Sequence, residues 1–196
     1  MLNNRATQTG RKLALFVLRN LVWFLTLGVY ALFGVIVEGF LTSSILLYIL
    51  YVSAPIGILT LGQTLCLISG NFDLSIAQNA GLSALVIGLI VGRALPGVLP
   101  APIAIMLVLI LGGLLGAANG FFVGKVKINS FLVTLSTYLI YKFTAFHLLS
   151  QPIAGFYLPS SFLALGNWKL GPIRFVFIVF LLIAVLLYFL IMYTPF

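Results

Sequence analysis

The groups in this chain that could transfer a proton, hold a metal or act as a nucleophile are few. Asp73 and Glu38 are the only acids, His147 is the only histidine and Cys66 the only cysteine among 196 residues. A metal centre needs several N, S or O ligands held together, and this supply is too thin for one. Cys66 has no partner for a disulfide within the chain, and its apolar setting suits a small packed hydrophobe. His147 has no acid near it in sequence and reads as a packing or interface residue. No Gly-x-x-x-x-Gly-Lys-Ser/Thr loop is present to cradle a nucleotide phosphate. The sequence therefore offers no catalytic residue, metal site or cofactor site of its own.

The polar groups that remain sit among apolar ones. Leu61 to Ser75 reads LGQTLCLISGNFDLS, so Asp73 stands between two apolar runs. A carboxylate there is costly unless it caps a helix, finds a partner or faces a cavity. Asp73 falls where an N-cap for the following segment is needed, and a role in gating or solute contact is compatible with capping. Lys142 lies about eleven residues beyond Phe131, about 17 Å at helical rise, and so near mid-membrane. A Lys at that depth is expected to face the interior and find a partner. Gln63, Thr64, Asn71, Ser75, Asn119 and Thr134 complete the candidate solute-path or gating residues, with Ser136 and Thr137 nearby. Each of them serves equally well as an interhelical hydrogen-bonding group. Glu38 is assigned no function.

The elements that must position these groups are set by composition. The chain is 63% hydrophobic and 6% charged, against about 25% charged in average soluble domains. A soluble fold cannot hide that much apolar surface, so the fold class is an all-α, polytopic transmembrane helical bundle. Six segments approach the roughly 20 apolar residues a spanning helix needs. They are Leu21–Val37, Leu41–Ile68, Leu74–Val91, Ile103–Val123, Phe131–Leu149 and Phe175–Tyr193. The third is the least apolar, because Gln78, Asn79 and Ser83 fall in its first half. Residues 1–20 form a basic N-terminal segment ahead of a single transmembrane domain. The net charge of +8 comes from Lys and Arg flanking apolar runs, which points to membrane orientation rather than nucleic acid. Arg5, Arg11, Lys12 and Arg19, with Lys125 and Lys127, place the N-terminus in the cytoplasm; Arg93, Lys169 and Arg174 then lie outside. Pro96, Pro100 and Pro102 mark an external turn, and Gln151 to Gly171 reads as a long external loop with Phe156, Tyr157 and Trp168 at the interface.

Pro55 in the second segment predicts a kink or a broken helix lining a pathway. Gly112, Gly116, Gly120 and Gly124 recur every four residues on the fourth segment, and Ala80, Ala84, Gly88 and Gly92 on the third. Such stripes let helix backbones approach closely, and these two helices are expected to meet.

Several local patterns also carry a resemblance. Asn71-Phe72-Asp73-Leu74-Ser75 is similar to the Gly-Ile-Asp-Leu-Ser hallmark of the sugar-type permeases of bacterial ABC importers, those for ribose, galactose, xylose and related solutes. Leu61-Gly62-Gln63-Thr64-Leu65 precedes it as in that family. Gly116-Ala117-Ala118-Asn119-Gly120, Phe131-Leu132-Val133-Thr134-Leu135 and Gln151-Pro152-Ile153 follow in the family's order. The departures are Asn71 and Phe72 for Gly and Ile, Ala77-Gln78 near a usual glycine, Ser136 for a common glycine, and Lys142 where Arg is frequent, which keeps charge and loses the planar fork.

The resemblance implies the N-terminal part of a type II ABC importer permease in a bacterial plasma (inner) membrane. It implies a second permease subunit, cytoplasmic ATPase subunits that use the ATP, and an extracytoplasmic solute-binding protein. Solute would move inward by alternating access, which requires partners that bind the two states differently. Family members continue past the position of Phe196 into an ATPase-docking segment and further helices, so this chain is expected to be a fragment, a truncated frame or a degenerate copy. Rival readings are a nucleoside or branched-chain amino-acid permease, an ATP-independent channel, and a non-transporting scaffold.

Overall fold

The computed structural model describes residues 11–12, 14–94, 99–149, 158 and 160–194. Residues 14–19 are helical. The elements that follow are α1 (Leu21–Ile36), α2 (Ser43–Ile68), α3 (Ile76–Leu89), α4 (Ala101–Gly120), α5 (Ser130–Leu148), α6 (Ser160–Asn167), the strands β1 (Lys169–Leu170) and β2 (Ile173–Arg174), and α7 (Phe175–Tyr193). All six apolar segments are helices. Three are long and apolar enough to cross a membrane on length and composition: Ser43–Ile68, Ala101–Lys125 and Phe175–Tyr193. Leu21–Ile36 and Ile76–Gly92 are shorter apolar helices. The expected patterns and side chains at Arg5, Arg93, Pro96, Gln151-Pro152-Ile153, Phe156 and Tyr157 lie outside the described residues.

The contacts divide into two compact units, Met1–Ile49 and Leu50–Phe196. In the first, the turn after α1 folds back so that Phe40 meets Tyr30 and Phe33 at centroid distances of 5.2 and 5.7 Å. Gly39 takes a positive φ of 77° there, a conformation that suits glycine.

In the second unit, α3 packs against both α4 and α5, and these two also touch. Ile87, Val91 and Ala104 form a small buried cluster with Leu107 and Val108 against it. The distribution of polarity is inverted relative to a soluble protein. Ser75, Ser83, Thr134 and Asn119 are between 1% and 4% exposed, whereas Leu182 and Leu186 on α7 are 64% and 63% exposed. An interior that collects hydroxyls and amides under an apolar surface is what hydrocarbon solvent selects.

Three expectations need correction. Of the two alternatives at Pro55, the broken helix does not hold, since α2 runs as one helix through it; next to it Ala54 is fully buried. Within the external loop expected from Gln151 to Gly171, the described residues include α6 and the start of a short antiparallel hairpin that pairs Lys169 with Arg174 and Leu170 with Ile173. Arg174 sits in this hairpin over the Tyr51 ring at 4.0 Å, and its guanidinium donates to Asn167 Oδ1 at 2.9 Å. The third correction concerns the small-residue stripes. Helices α3 and α4 do meet, but Ala80 and Ala84 are exposed, and α3 presents Ser75, Asn79 and Ser83 instead. Gly112 and Gly116 pack on that polar edge: a Cβ on Gly112 would lie 3.5 Å from Ser83 Oγ, and one on Gly116 3.8 Å from Asn79 Nδ2. Gly120 and Gly124 meet nothing within 4 Å, and Gly88 is half-buried.

A close approach elsewhere is made by Gly57 on α2. A Cβ there would stand 2.5 Å from Phe180 Cε2 of α7, so glycine is what lets that ring approach the helix so closely.

Candidate functional site

Four helix ends converge on one cavity. The C-terminal end of α2, the segment entering α3, the C-terminal end of α4 and the start of α5 enclose about 280 Å³ lined by Cys66, Ser69, Asn71, Phe72, Asp73, Gly116, Asn119, Gly120, Val123, Gly124, Ser130 and Thr134.

Local chemistry explains why the chain turns here. α2 ends in a paired capping motif: Gly70 N–H donates to Leu67 O at 3.0 Å and Asn71 N–H to Cys66 O at 2.9 Å. That motif requires a left-handed residue, and Gly70 supplies it with φ 75°. On the opposite side, α4 closes with a wider helical turn over Phe121–Lys125. Lys127 then adopts φ 65°, an uncommon position for a residue with a Cβ. α5 starts at once, with Asn129 as its N-cap accepting from Phe131 N–H at 2.8 Å.

Within the cavity wall a polar chain joins α4 to the entry of α3. Asn119 Nδ2 donates to Ser75 Oγ at 2.8 Å. Ser75 Oγ in turn donates to Asp73 Oδ1 at 2.7 Å, and Ser75 N–H donates to the same oxygen at 2.7 Å. The N-cap position of α3 belongs to Ser75, not Asp73. Asp73 lies two residues earlier and holds the turn through Ser75, while its charge still favours the positive end of the helix. Asn119 Oδ1 is buried and has no hydrogen-bond partner among the described residues. Across the cavity, Thr134 Oγ1 donates to Ser130 O at 2.8 Å and Phe72 O at 3.3 Å, and Phe72 N–H donates to Ser130 Oγ at 3.4 Å. These bonds fix the Asn71–Asp73 segment against α5.

Of the candidate residues, Asn71, Asp73, Asn119 and Thr134 meet at this cavity, with Ser75 behind them. Gln63 and Thr64 do not line it. Thr64 is exposed and bonds back to Thr60 O at 2.8 Å, and Gln63 Nε2 is buried without a partner among the described residues. Lys142 is also elsewhere: it is half-buried and its Nζ lies 5.6 Å from the Tyr138 ring centroid one turn earlier. Ser136 and Thr137 bond back to their own helix. The lining residues that sequence reading missed are Cys66, Ser69, Phe72, Val123 and Ser130. Their positions at helix ends beside Asp73 are the only signal that could have found them.

Chemically the cavity is rich in acceptors. Ser69, Asn71 and Thr134 each direct one donor to a nearby carbonyl; among the described residues the second Asn71 N–H and the Ser130 hydroxyl hydrogen have no acceptor, and the lining contains neither Lys nor Arg. Among the described residues no cluster of three or more His, Cys, Asp or Glu is placed to hold a metal.

Residues 45–196 match the family described as branched-chain amino acid transport system / permease component. The autoinducer 2 import system permease protein LsrD of Escherichia coli (strain K12) is 33% identical over 123 residues, 63% of this chain and 36% of that protein. The protein of the same name from Shigella flexneri gives the same figures. The matched stretch is thus little more than a third of these relatives' length. No solved structure matches the chain. The family match takes in α3, α4 and α5, the helices whose ends enclose the cavity, and nearly all of α2; the chain belongs to this family of ABC importer permeases.

Proposed function

We propose that this chain is a permease subunit of an ABC importer that moves a small sugar-like solute inward across a bacterial inner membrane. ATP is hydrolysed on separate cytoplasmic subunits, a second permease subunit completes the pathway, and an external binding protein delivers the solute. The cavity-bearing end of the bundle is the cytoplasmic one, because Lys125 and Lys127 follow α4 there and positive charge marks the inner side. The bundle alternates between outward-open and inward-open forms, and the ATPase subunits bias that equilibrium by binding the two forms unequally.

The observation that carries this reading is the acceptor-lined cavity in a chain of this family. The lining holds Asp73 and neither Lys nor Arg, which favours a neutral hydroxylated solute, held by hydrogen bonds alone, over one with a net negative charge. The matching relatives are named as permease proteins of an autoinducer 2 import system, which agrees with an importer role. Co-expression with the neighbouring ATPase and binding-protein subunits and measurement of uptake into vesicles tests the proposal. Uptake that stops when the ATPase lysine of the phosphate loop is replaced supports it. Accumulation that persists without a working ATPase overturns it in favour of a channel or secondary transporter.

A further inference from the structure

We infer that the N-terminal face built from Lys12, Leu15, Phe16 and Arg19 holds an anionic phospholipid, with both cations on its headgroup and the two apolar side chains against its acyl chains. The inference stands apart from the importer reading, since it needs only that α1 lies across a bilayer.

Residues 11–12 and 14–19 are helical and run into α1 through Asn20. Asn20 does not break the run: its N–H donates to Phe16 O at 3.1 Å, and its carbonyl accepts from Phe24 N–H at 3.1 Å. Lys12, Leu15, Phe16, Arg19 and Asn20 follow the spacing of one helix face, and together they line a groove of about 490 Å³. The Asn20 amide turns back onto Phe16 O at 2.8 Å. The Phe16 ring meets Phe24 edge-on at 6.3 Å, which steadies the groove across the turn.

Depth and charge point to the occupant. The 16 residues of α1 span about 24 Å at helical rise, short of a hydrocarbon core of about 30 Å. Leu15, Phe16, Val17 and Leu18 are 51%, 58%, 37% and 65% exposed and supply the missing length. Using them draws Arg19 below the headgroup plane, where a cation needs an anion. The protein offers none there. Glu38 is the only acid of the unit Met1–Ile49 and lies beyond the far end of α1. Among the described residues neither Lys12 nor Arg19 has an ion-pair or hydrogen-bond partner.

A phospholipid phosphate meets this need. Arg19 can engage it with its planar fork, and Lys12 adds a mobile point charge. Lys12 stands about 10 Å from Arg19 along the axis, a gap that two long side chains close around one headgroup. A zwitterionic headgroup brings its own ammonium into a site that already holds two cations, so a net negative lipid is preferred. An acidic protein segment would match the charge and leave Leu15 and Phe16 without an apolar cover continuous with the membrane.

Trp23 lies one turn beyond Arg19 and is 70% exposed, so it reports a neighbouring lipid. In a Trp168→Phe background the full chain is reconstituted into phosphatidylcholine vesicles. Trp23 fluorescence is then quenched with acyl-brominated phosphatidylglycerol or equally brominated phosphatidylcholine. One Lys or Arg near an anionic surface strengthens binding about fivefold, so a preference of at least about fivefold for phosphatidylglycerol is expected at low salt. Lys12→Gln with Arg19→Gln should bring that preference to within about twofold of unity. Arg11→Gln, on another face of the same helix, should keep more than about half of it. Equal quenching by the two lipids overturns the site, and is the result an acidic protein partner would give. A preference that survives the double change, or that Arg11→Gln removes as fully, overturns it too. Relief of phosphatidylglycerol quenching by sodium phosphate at constant ionic strength assigns the groove to free phosphate and overturns the lipid.

Discussion

The chain of bonds from Asn119 through Ser75 to Asp73 predicts a specific non-additivity. Ser75→Ala removes two bonds, the 2.8 Å bond received from Asn119 and the 2.7 Å bond given to Asp73. A neutral hydrogen bond contributes about 0.5–1.5 kcal/mol and one to a charged group about 1.5–3 kcal/mol; in a membrane interior values fall toward about 0.6 kcal/mol per bond. Ser75→Ala is therefore expected to cost about 1–4 kcal/mol, with the Asn119 amide left wholly unpaired. Asn119→Leu behaves differently. It loses one bond but also removes an acceptor that already has no partner, and leucine is close in size, so its net effect is within about 1 kcal/mol of zero. In the Asn119→Leu background, Ser75→Ala no longer strands an amide. The double variant should then be about 1–3 kcal/mol more stable than the sum of the single changes, the desolvation cost of a stranded polar group. Equilibrium unfolding in mixed micelles, followed by Trp fluorescence across the four proteins, measures this. Additivity within about 0.5 kcal/mol would refute the idea that Asn119 and Ser75 form one network.

Three further outcomes follow from the packing. Gly57→Ala forces a Cβ to 2.5 Å from Phe180 Cε2; overpacking of about 1–3 kcal/mol outweighs the gain in helix propensity of about 1 kcal/mol, and thermal unfolding should show net destabilisation. In a Phe180→Ala background the sign should reverse, since only the propensity gain remains. Gly70→Ala should destabilise by about 1–2 kcal/mol, because φ 75° strains an L side chain, and limited proteolysis at the α2–α3 turn should quicken. Tyr141→Phe removes the 3.1 Å bond from the phenol to Leu115 O and should cost about 0.5–1.5 kcal/mol in the same unfolding assay.

The six apolar segments were legible because spanning helices are written in composition, and each begins or ends within a few residues of its expected bound. The Asp73 region was legible as well, since a carboxylate between apolar runs has few tolerable places. What did not show was which side of each helix faces inward. The glycine and alanine stripes pointed to the wrong edge of α3, because Asn79 bonds Gly112 O at 3.1 Å and Ser83 bonds Asn79 at 3.1 Å. A polar pair that satisfies itself across two helices outcompetes a stripe that offers only close approach. Lys142 was placed by depth alone, and depth does not fix the rotation of α5; its nearby aromatic partner comes from its own helix. Cys66 and Ser130 could not be assigned to the cavity before the two helix ends were brought together.

The polar edge of α3 bears on how the chain enters the bilayer during synthesis. Ile76–Leu89 is short, and with Gln78, Asn79 and Ser83 it is a poor substrate for release into lipid by itself. The group that receives Asn79 lies 33 residues later in the sequence, and the amide that reaches Ser75 lies 44 residues later. Until α4 has been made, α3 has nowhere to place these groups except water or the translocation channel. The two helices should therefore leave the channel as a pair. Glycosylation mapping of nascent chains truncated before Ala101 and after Lys125 would show α3 spanning the membrane fully only in the longer chain. A helix that sequence hydropathy ranks weakest thus owes its place in the membrane to the neighbour translated after it.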